Sequence, residues 1–310
     1  MKIERLIIAL IFIGVLGCEE TIQVDTENVE SSIVIDAFID NRPDTQTITI
    51  TRSRQFYDNS AYERVSADEV FIEDLTDPSQ PIYVFTESEV SSGTFEWTPL
   101  TPADSFGIIG HDYQLTVVVG AAEFTAFSTL RPVPAIDSIR FNYEEDDGFF
   151  DERFEAEFFA TDLPGFGDTY WIKAFKNDVF LNRPEYIATS YDGGFSASDE
   201  DGILFIPPLR TFINPFEDDD LGYDINDTVR VELLSVTEET FLYLNEIFTQ
   251  TDRQGGISEL FSVPVTNLNS TFEVVSGDEG VLGIFCTSSV SISELVLTQQ
   301  LADEAFQKAQ

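Results

Sequence analysis

From Ile33 onward the apolar residues of this chain recur at every second position, in short runs closed by turn residues. A helix repeats its faces every 3.6 residues and cannot use that period. A strand can, because it gains one buried face and one wet one. Ile33-Val34-Ile35-Asp36-Ala37-Phe38-Ile39 is the first such run, with Asn41-Arg42-Pro43-Asp44 as its turn. Runs at 46–52, 69–75, 82–85, 112–119 and 123–127 follow at the spacing of a sandwich, and Gly120-Ala121-Ala122 reads as a hairpin connection. Arg131-Pro132-Val133-Pro134 breaks the pattern, since two prolines one residue apart favour extended backbone outside a ladder. A second β-rich region runs through 136–143, 153–160, 170–176, 229–236 and 290–297. At 170–176, Tyr170, Ile172 and Ala174 share one face, with Trp171, Lys173 and Phe175 on the other. One segment departs from period two. Phe241, Leu244 and Phe248 fall on one helical face, and Ser235 with Glu238 reads as a capping box. The expected fold is mostly β: two immunoglobulin-like β-sandwich domains over 33–131 and 135–310, the second with one inserted helix near 238–251.

The 310 residues carry 57 Asp and Glu against 16 Lys and Arg, a formal charge of −41. A surface this acidic repels phosphate backbones, so nucleic acid is excluded as a partner. Two cysteines and one histidine exclude a disulfide scaffold and a thiolate or imidazole zinc cluster.

The first eighteen residues speak to the compartment. Lys2 and Arg5 form a basic head before an apolar run from Leu6 to Leu16. That run suits the core of a signal peptide and falls short of the roughly 20 residues that span a bilayer. Val15-Leu16-Gly17-Cys18 closes it and resembles the lipobox of bacterial lipoproteins, with Leu16 bulkier than usual. The resemblance implies removal of residues 1–17 and acylation of Cys18, with each buried CH₂ contributing about 0.8 kcal/mol to anchoring in outer-membrane lipid. Residues 18–32 then read as a lipidated tether with a reach of roughly 20 Å. Glu19 and Glu20 resemble an export signal for the outer face of the outer membrane.

His111 sits in Gly110-His111-Asp112 directly before a strand and reads as a turn residue, with no nucleophile elbow elsewhere in the chain. Cys286 lies in an apolar run and reads as a small buried hydrophobe. No nucleophile–base constellation stands out, so the chain is expected not to be an enzyme and to need no cofactor. Acidic clusters leave calcium as the one candidate ion. Asp218, Asp220 and Asp224 are the candidate ligands, against the reading of these loops as simply solvated. Phe149 and Phe150, between Gly148 and Asp151, are expected at an exposed loop tip as a ligand or partner surface. Asp137-Ser138-Ile139 and Asp227-Thr228-Val229 resemble a short bacterial O-glycosylation sequon, which makes Ser138 and Thr228 candidate sites.

The order of motifs along the mature chain resembles the uncharacterised lipoprotein family known as domain-of-unknown-function family 4249. The resemblance rests on the first strand run, on Gly110-His111-Asp112-Tyr113-Gln114-Leu115-Thr116-Val117, and on the proline linker leading into Ile136-Asp137-Ser138-Ile139. Tyr170-Trp171, Pro264-Val265-Thr266-Asn267-Leu268 and Gly280-Val281-Leu282-Gly283-Ile284-Phe285 continue it. It implies an outer-membrane lipoprotein of the kind often encoded beside TonB-dependent transporters, with no assigned reaction. The leading expectation is therefore a non-enzymatic binding or accessory lipoprotein working with such a transporter in nutrient uptake. The alternatives are a carboxylate-based glycoside hydrolase and a calcium-stabilised surface adhesion or structural protein.

Overall fold

The computed structural model describes residues 31–54, 58, 60–146, 148, 150–194, 202–217, 220–253 and 265–310. Cys18 and nearly all of the tether lie outside them. The first half forms β1 (Ile33–Asp40), β2 (Gln46–Arg52), β3 (Glu69–Asp74), β4 (Tyr83–Val84), β5 (Thr86–Glu87), β6 (Thr94–Trp97), β7 (Asp112–Val119) and β8 (Ala122–Thr129). The second half forms β9 (Ile136–Glu144), β10 (Arg153–Ala160), β11 (Thr169–Lys176), β12 (Val179–Phe180), β13 (Ala188–Tyr191), β14 (Phe216–Glu217), β15 (Asp220–Leu221) and β16 (Thr228–Val236). It closes with α1 (Glu238–Thr251), β17 (Phe272–Ser276), β18 (Val281–Ser288), β19 (Val290–Val296) and α2 (Gln299–Ala309). The protein is mostly β, as the period demands, and among the described residues no helix is long and apolar enough to cross a membrane.

Two five-stranded sheets, ordered β18-β1-β2-β6-β5 and β17-β8-β7-β3-β4, face each other over one core. The alternation decides which side chains enter it. Ile33, Ile35, Ala37 and Ile39 of β1 point inward with Ile48, Ile50, Leu115, Val117 and Phe124. A second core gathers Ile139, Phe141, Ala156 and Phe158 from the β9–β10 pair over Tyr170, Ile172, Val229, Val231 and Leu233 of β11 and β16. The C-terminal helix α2 closes one end of that core through Ala302 and packs against β9.

The two sandwiches are not built from two uninterrupted stretches of chain. Residues 272–288, assigned by the sequence to the unit 135–310, return to the first sandwich: β17 pairs with β8, and β18 runs parallel to β1 over its full length. Close backbone approach explains Gly283, where φ is +126° and an added Cβ would sit 1.9 Å from the Ile35 carbonyl oxygen. The capping box expected at Ser235 is also absent. Ser235 belongs to β16, and α1 is capped by Thr237, whose hydroxyl accepts the Thr240 N–H at 3.3 Å.

The outward face of β1 and β18 packs on the outward face of β11 and β16. Phe38 meets Trp171 at 5.3 Å between ring centroids, and the Lys173 ammonium lies 3.9 Å from the Trp171 centroid. Burial pushes that ammonium's pKa down, with Glu232 pulling it the other way. Glu232, 2% exposed, accepts Arg42 at 3.1 Å and Arg230 at 3.0 Å, and Arg42 also clasps Asp40 at 2.6 Å. Breaking a fully buried pair costs about 3–5 kcal/mol, and the partial exposure of both arginines lowers the expectation here. Glu232→Ala is expected to cost about 2 kcal/mol on that reasoning, read as a lower urea midpoint. A loss under about 0.5 kcal/mol, the range of ordinary surface changes, would show that the two sandwiches do not depend on this network.

Candidate functional site: an aromatic cleft on the second sandwich

β10 turns Ala156, Phe158 and Ala160 into the second core, which leaves Arg153, Glu155, Glu157 and Phe159 facing outward. Segment 208–217 lies along the edge of β10 that β9 leaves open. It is held there by Asn214, a buried amide whose Oδ1 accepts the Ala156 N–H at 2.6 Å. Its Nδ2 donates to the carbonyls of Ala156 and Thr211, both at 2.8 Å. The β14–β15 hairpin is fixed in turn. The Phe216 N–H donates to the Tyr186 hydroxyl at 3.1 Å, the two rings lie 4.6 Å apart, and Gly222 N–H donates to the Pro215 carbonyl at 2.9 Å.

Between β10, this segment and the loop before β10 opens a cleft of about 290 Å³, walled by Phe150, Phe212, Phe216, Pro208, Pro215 and Leu221. The three phenylalanines remain 47%, 38% and 46% exposed, far more than rings that fill a core. Arg153 and Glu155 supply the charge. The Arg153 Nε lies 2.7 Å from Glu155 Oε1, and its guanidinium stands 5.3 Å from the Phe150 centroid. Prolines offer no N–H and the Asn214 amide is bonded to the scaffold, so the walls recognise shape and apolar surface far more than hydrogen-bonding groups. Glu155 is the one carboxylate among the described residues that line it.

Of the residues singled out in the sequence, Phe150 lines this cleft. Phe149 and Asp218 lie outside the described residues, as does the side chain of Asp220. Asp224 sits in the turn before β16, where its N–H donates to Asp227 Oδ2 at 2.8 Å. Partial burial raises the Asp227 pKa, but the Asn177 amide, that N–H and Lys176 together hold it below the usual carboxylate value. Among the described residues no three His, Cys, Asp or Glu side chains converge as a metal site requires. Ser138 on β9 and Thr228 at the start of β16 are both half-buried and stand apart from the cleft. Sequence reasoning missed Phe212 and Phe216 because segment 202–217 has neither period. The available signal was its density of proline and phenylalanine, in Pro207-Pro208 and Pro215-Phe216.

A family model described as "Domain of unknown function (DUF4249)" matches residues 19–294. The chain belongs to this family. The DUF4249 match spans both sandwiches and the whole cleft, ends inside β19, and leaves α2 beyond it. Among curated proteins none matches the chain.

His111, the single histidine, occupies the turn before β7, and its Nδ1 lies 2.7 Å from Asp74 Oδ2. Asp74 Oδ1 also accepts the N–H groups of Thr76 and Asp77, both at 2.9 Å. Burial pushes the Asp74 pKa upward, yet the Asp77 N–H, His111 and the Thr76 N–H outweigh it and hold the carboxyl below its usual value. A depressed pKa contributes stability that is full above the unfolded value near 3.9 and is lost as pH falls through the folded one. Asp74→Asn is therefore expected to cost about 1–2 kcal/mol at pH 7. That difference should shrink below pH 4 in paired urea titrations of the two proteins. A gap unchanged at pH 3 would show that the charge of Asp74 contributes nothing.

Proposed function

We propose that this DUF4249 protein is an outer-membrane lipoprotein, anchored through Cys18 and facing outward, that acts by binding rather than catalysis beside a TonB-dependent transporter in nutrient uptake. One observation carries the binding reading: an open cleft with three half-exposed phenylalanines beside β10. Surfaces that anchor partners have this character, because exposed rings release apolar area on contact. The hydrolase alternative draws no support from the same cleft. Glycoside hydrolysis needs two carboxyl groups roughly 5–10 Å apart, and the described lining supplies Glu155, ion-paired to Arg153.

Support for the anchor comes from the basic head, the apolar run and Gly17-Cys18 at its end. Support for the transporter comes from the family resemblance. The test uses the full acylated chain, extracted from outer membranes in mild detergent. Cys18→Ala should move the protein from the membrane to the soluble fraction. Phe212→Ala with Phe216→Ala should reduce the co-purified transporter at least tenfold while the protein stays folded, with a lower thermal midpoint from the lost Phe216–Tyr186 contact. Undiminished transporter recovery with the double variant would overturn the role given to the cleft, and membrane retention of Cys18→Ala would overturn the anchor.

A further inference from the structure

Resting on that binding reading, we infer that the cleft seats an arginine or lysine side chain carried within an apolar segment of a partner protein. Size is the first ground. A cavity of about 290 Å³ lies at the lower end of the range for small-molecule sites, yet it accommodates one long side chain. Its openness to the surface suits an anchor residue delivered by a second protein.

The walls and the charge supply the other grounds. Phe150, Phe212 and Phe216 line the cleft, and the quadrupoles of such rings attract cations most strongly where water is excluded. The protein already uses one of these faces in that way, for the guanidinium placed over Phe150 is its own Arg153. An incoming arginine would lay its aliphatic stem on Pro208, Pro215 and Leu221 while its head stays near the rim.

Two segments deliver the aromatic walls, and the one before β10 is acidic: Glu144, Glu145 and Asp146 precede Phe150, Asp151 and Glu152 follow it, and all five are exposed. Glu144 stands directly across the ladder from Arg153, and Glu155 neutralises the same arginine, so the mouth keeps its negative character. At the far end of the same face Arg140 and Arg210 stand 4.5 and 4.7 Å from the Phe159 centroid, as Arg153 stands over Phe150, so a basic segment would place its cation over Phe212 and Phe216, the lining rings that carry no resident arginine among the described contacts. At longer range a net charge of −41 steers basic surfaces toward the protein and turns acidic ones away.

Three fluorescein-labelled octapeptides test this, sharing one frame of leucine and proline and differing in two positions that are both arginine, both glutamine or both glutamate. Against the full mature chain in detergent, anisotropy should show the arginine peptide binding at least tenfold more tightly than the glutamine peptide, with no binding of the glutamate peptide. Phe212→Ala should weaken the arginine peptide at least tenfold, and so should the charge variant Glu144→Gln with Glu145→Gln. Equal, Phe212-dependent binding of the arginine and glutamine peptides would overturn the basic partner and leave the cleft a binding site. Arginine-peptide binding that survives Phe212→Ala would be attraction to the acidic surface at large and would also overturn the inference. Free ethylguanidinium binding as tightly as the peptide would make this a small-cation site and overturn the protein partner. Failure of all three peptides while transporter recovery still depends on Phe212 and Phe216 sinks this inference alone; loss of that dependence too sinks the binding reading with it.

Discussion

The carbonyl oxygen of Arg131 accepts two serine hydroxyls, from Ser235 at 2.7 Å and Ser289 at 2.6 Å. These three residues lie where the chain passes between the sandwiches, at the end of β8, near the end of β16 and between β18 and β19. The Ser235 N–H also donates to the Ser289 carbonyl at 3.0 Å, and the Ser289 N–H donates to the Ser235 hydroxyl at 3.0 Å. Both serines are buried, so water cannot replace a lost partner and a change in the relative orientation of the sandwiches would leave several polar groups unsatisfied. Asn41 extends the same junction by bonding across Ser288 and Val290. The Glu232 network and the Phe38–Trp171 contact are consequences of this registration, because they need the outer faces of β1 and β11 to meet at one fixed offset.

The strand period was legible wherever a strand has one wet face. It identified β1, β2, β3, β7, β8, β9, β10, β11, β16 and β19 to within a residue or two, and α1 by its helical stripe. It failed at β18, and the reason is physical. Phe285 faces the first core while Ile284 and Cys286, on the opposite face, are buried as well, so the alternation vanishes in a strand covered on both sides. Its partner β1 lies more than 240 residues earlier, and a parallel pairing at that separation leaves no turn signal to read. Ser235 was misread for a related reason. A serine three residues before a glutamate satisfies the capping rule, but its hydroxyl was already committed to Arg131, and Thr237 was free to cap. The helix α2 went unread, although its N-cap Thr298 and its small Ala302 and Ala305 mark a close-packed stripe.

The cleft was half legible. Phe150 could be singled out because an aromatic pair among acids has no core to enter from a loop. Phe212 and Phe216 could not, since their placement depends on Asn214 reaching a strand some 58 residues earlier, and a single amide in irregular chain carries no pattern. Irregular segments that carry function are often fixed this way, by one buried polar side chain that replaces the missing ladder.

Charge ties the junction to the cleft. With 16 basic residues against 57 acidic ones, each cation taken inside leaves the surface more negative. The interface takes Arg42, Arg230 and Lys173, and β10 holds Arg153 against Glu155. The remaining carboxylates repel one another, and that repulsion is smallest where they stand in water on loops, screened within about 8 Å at physiological salt. The loop before β10, where Glu144, Glu145, Asp146, Asp151 and Glu152 are exposed, is such a place. The same arrangement that relieves the electrostatic strain of the fold therefore sets negative charge beside the aromatic cleft, and a chain built to be stable at −41 acquires, at its apolar mouth, a preference for cations that no single residue encodes.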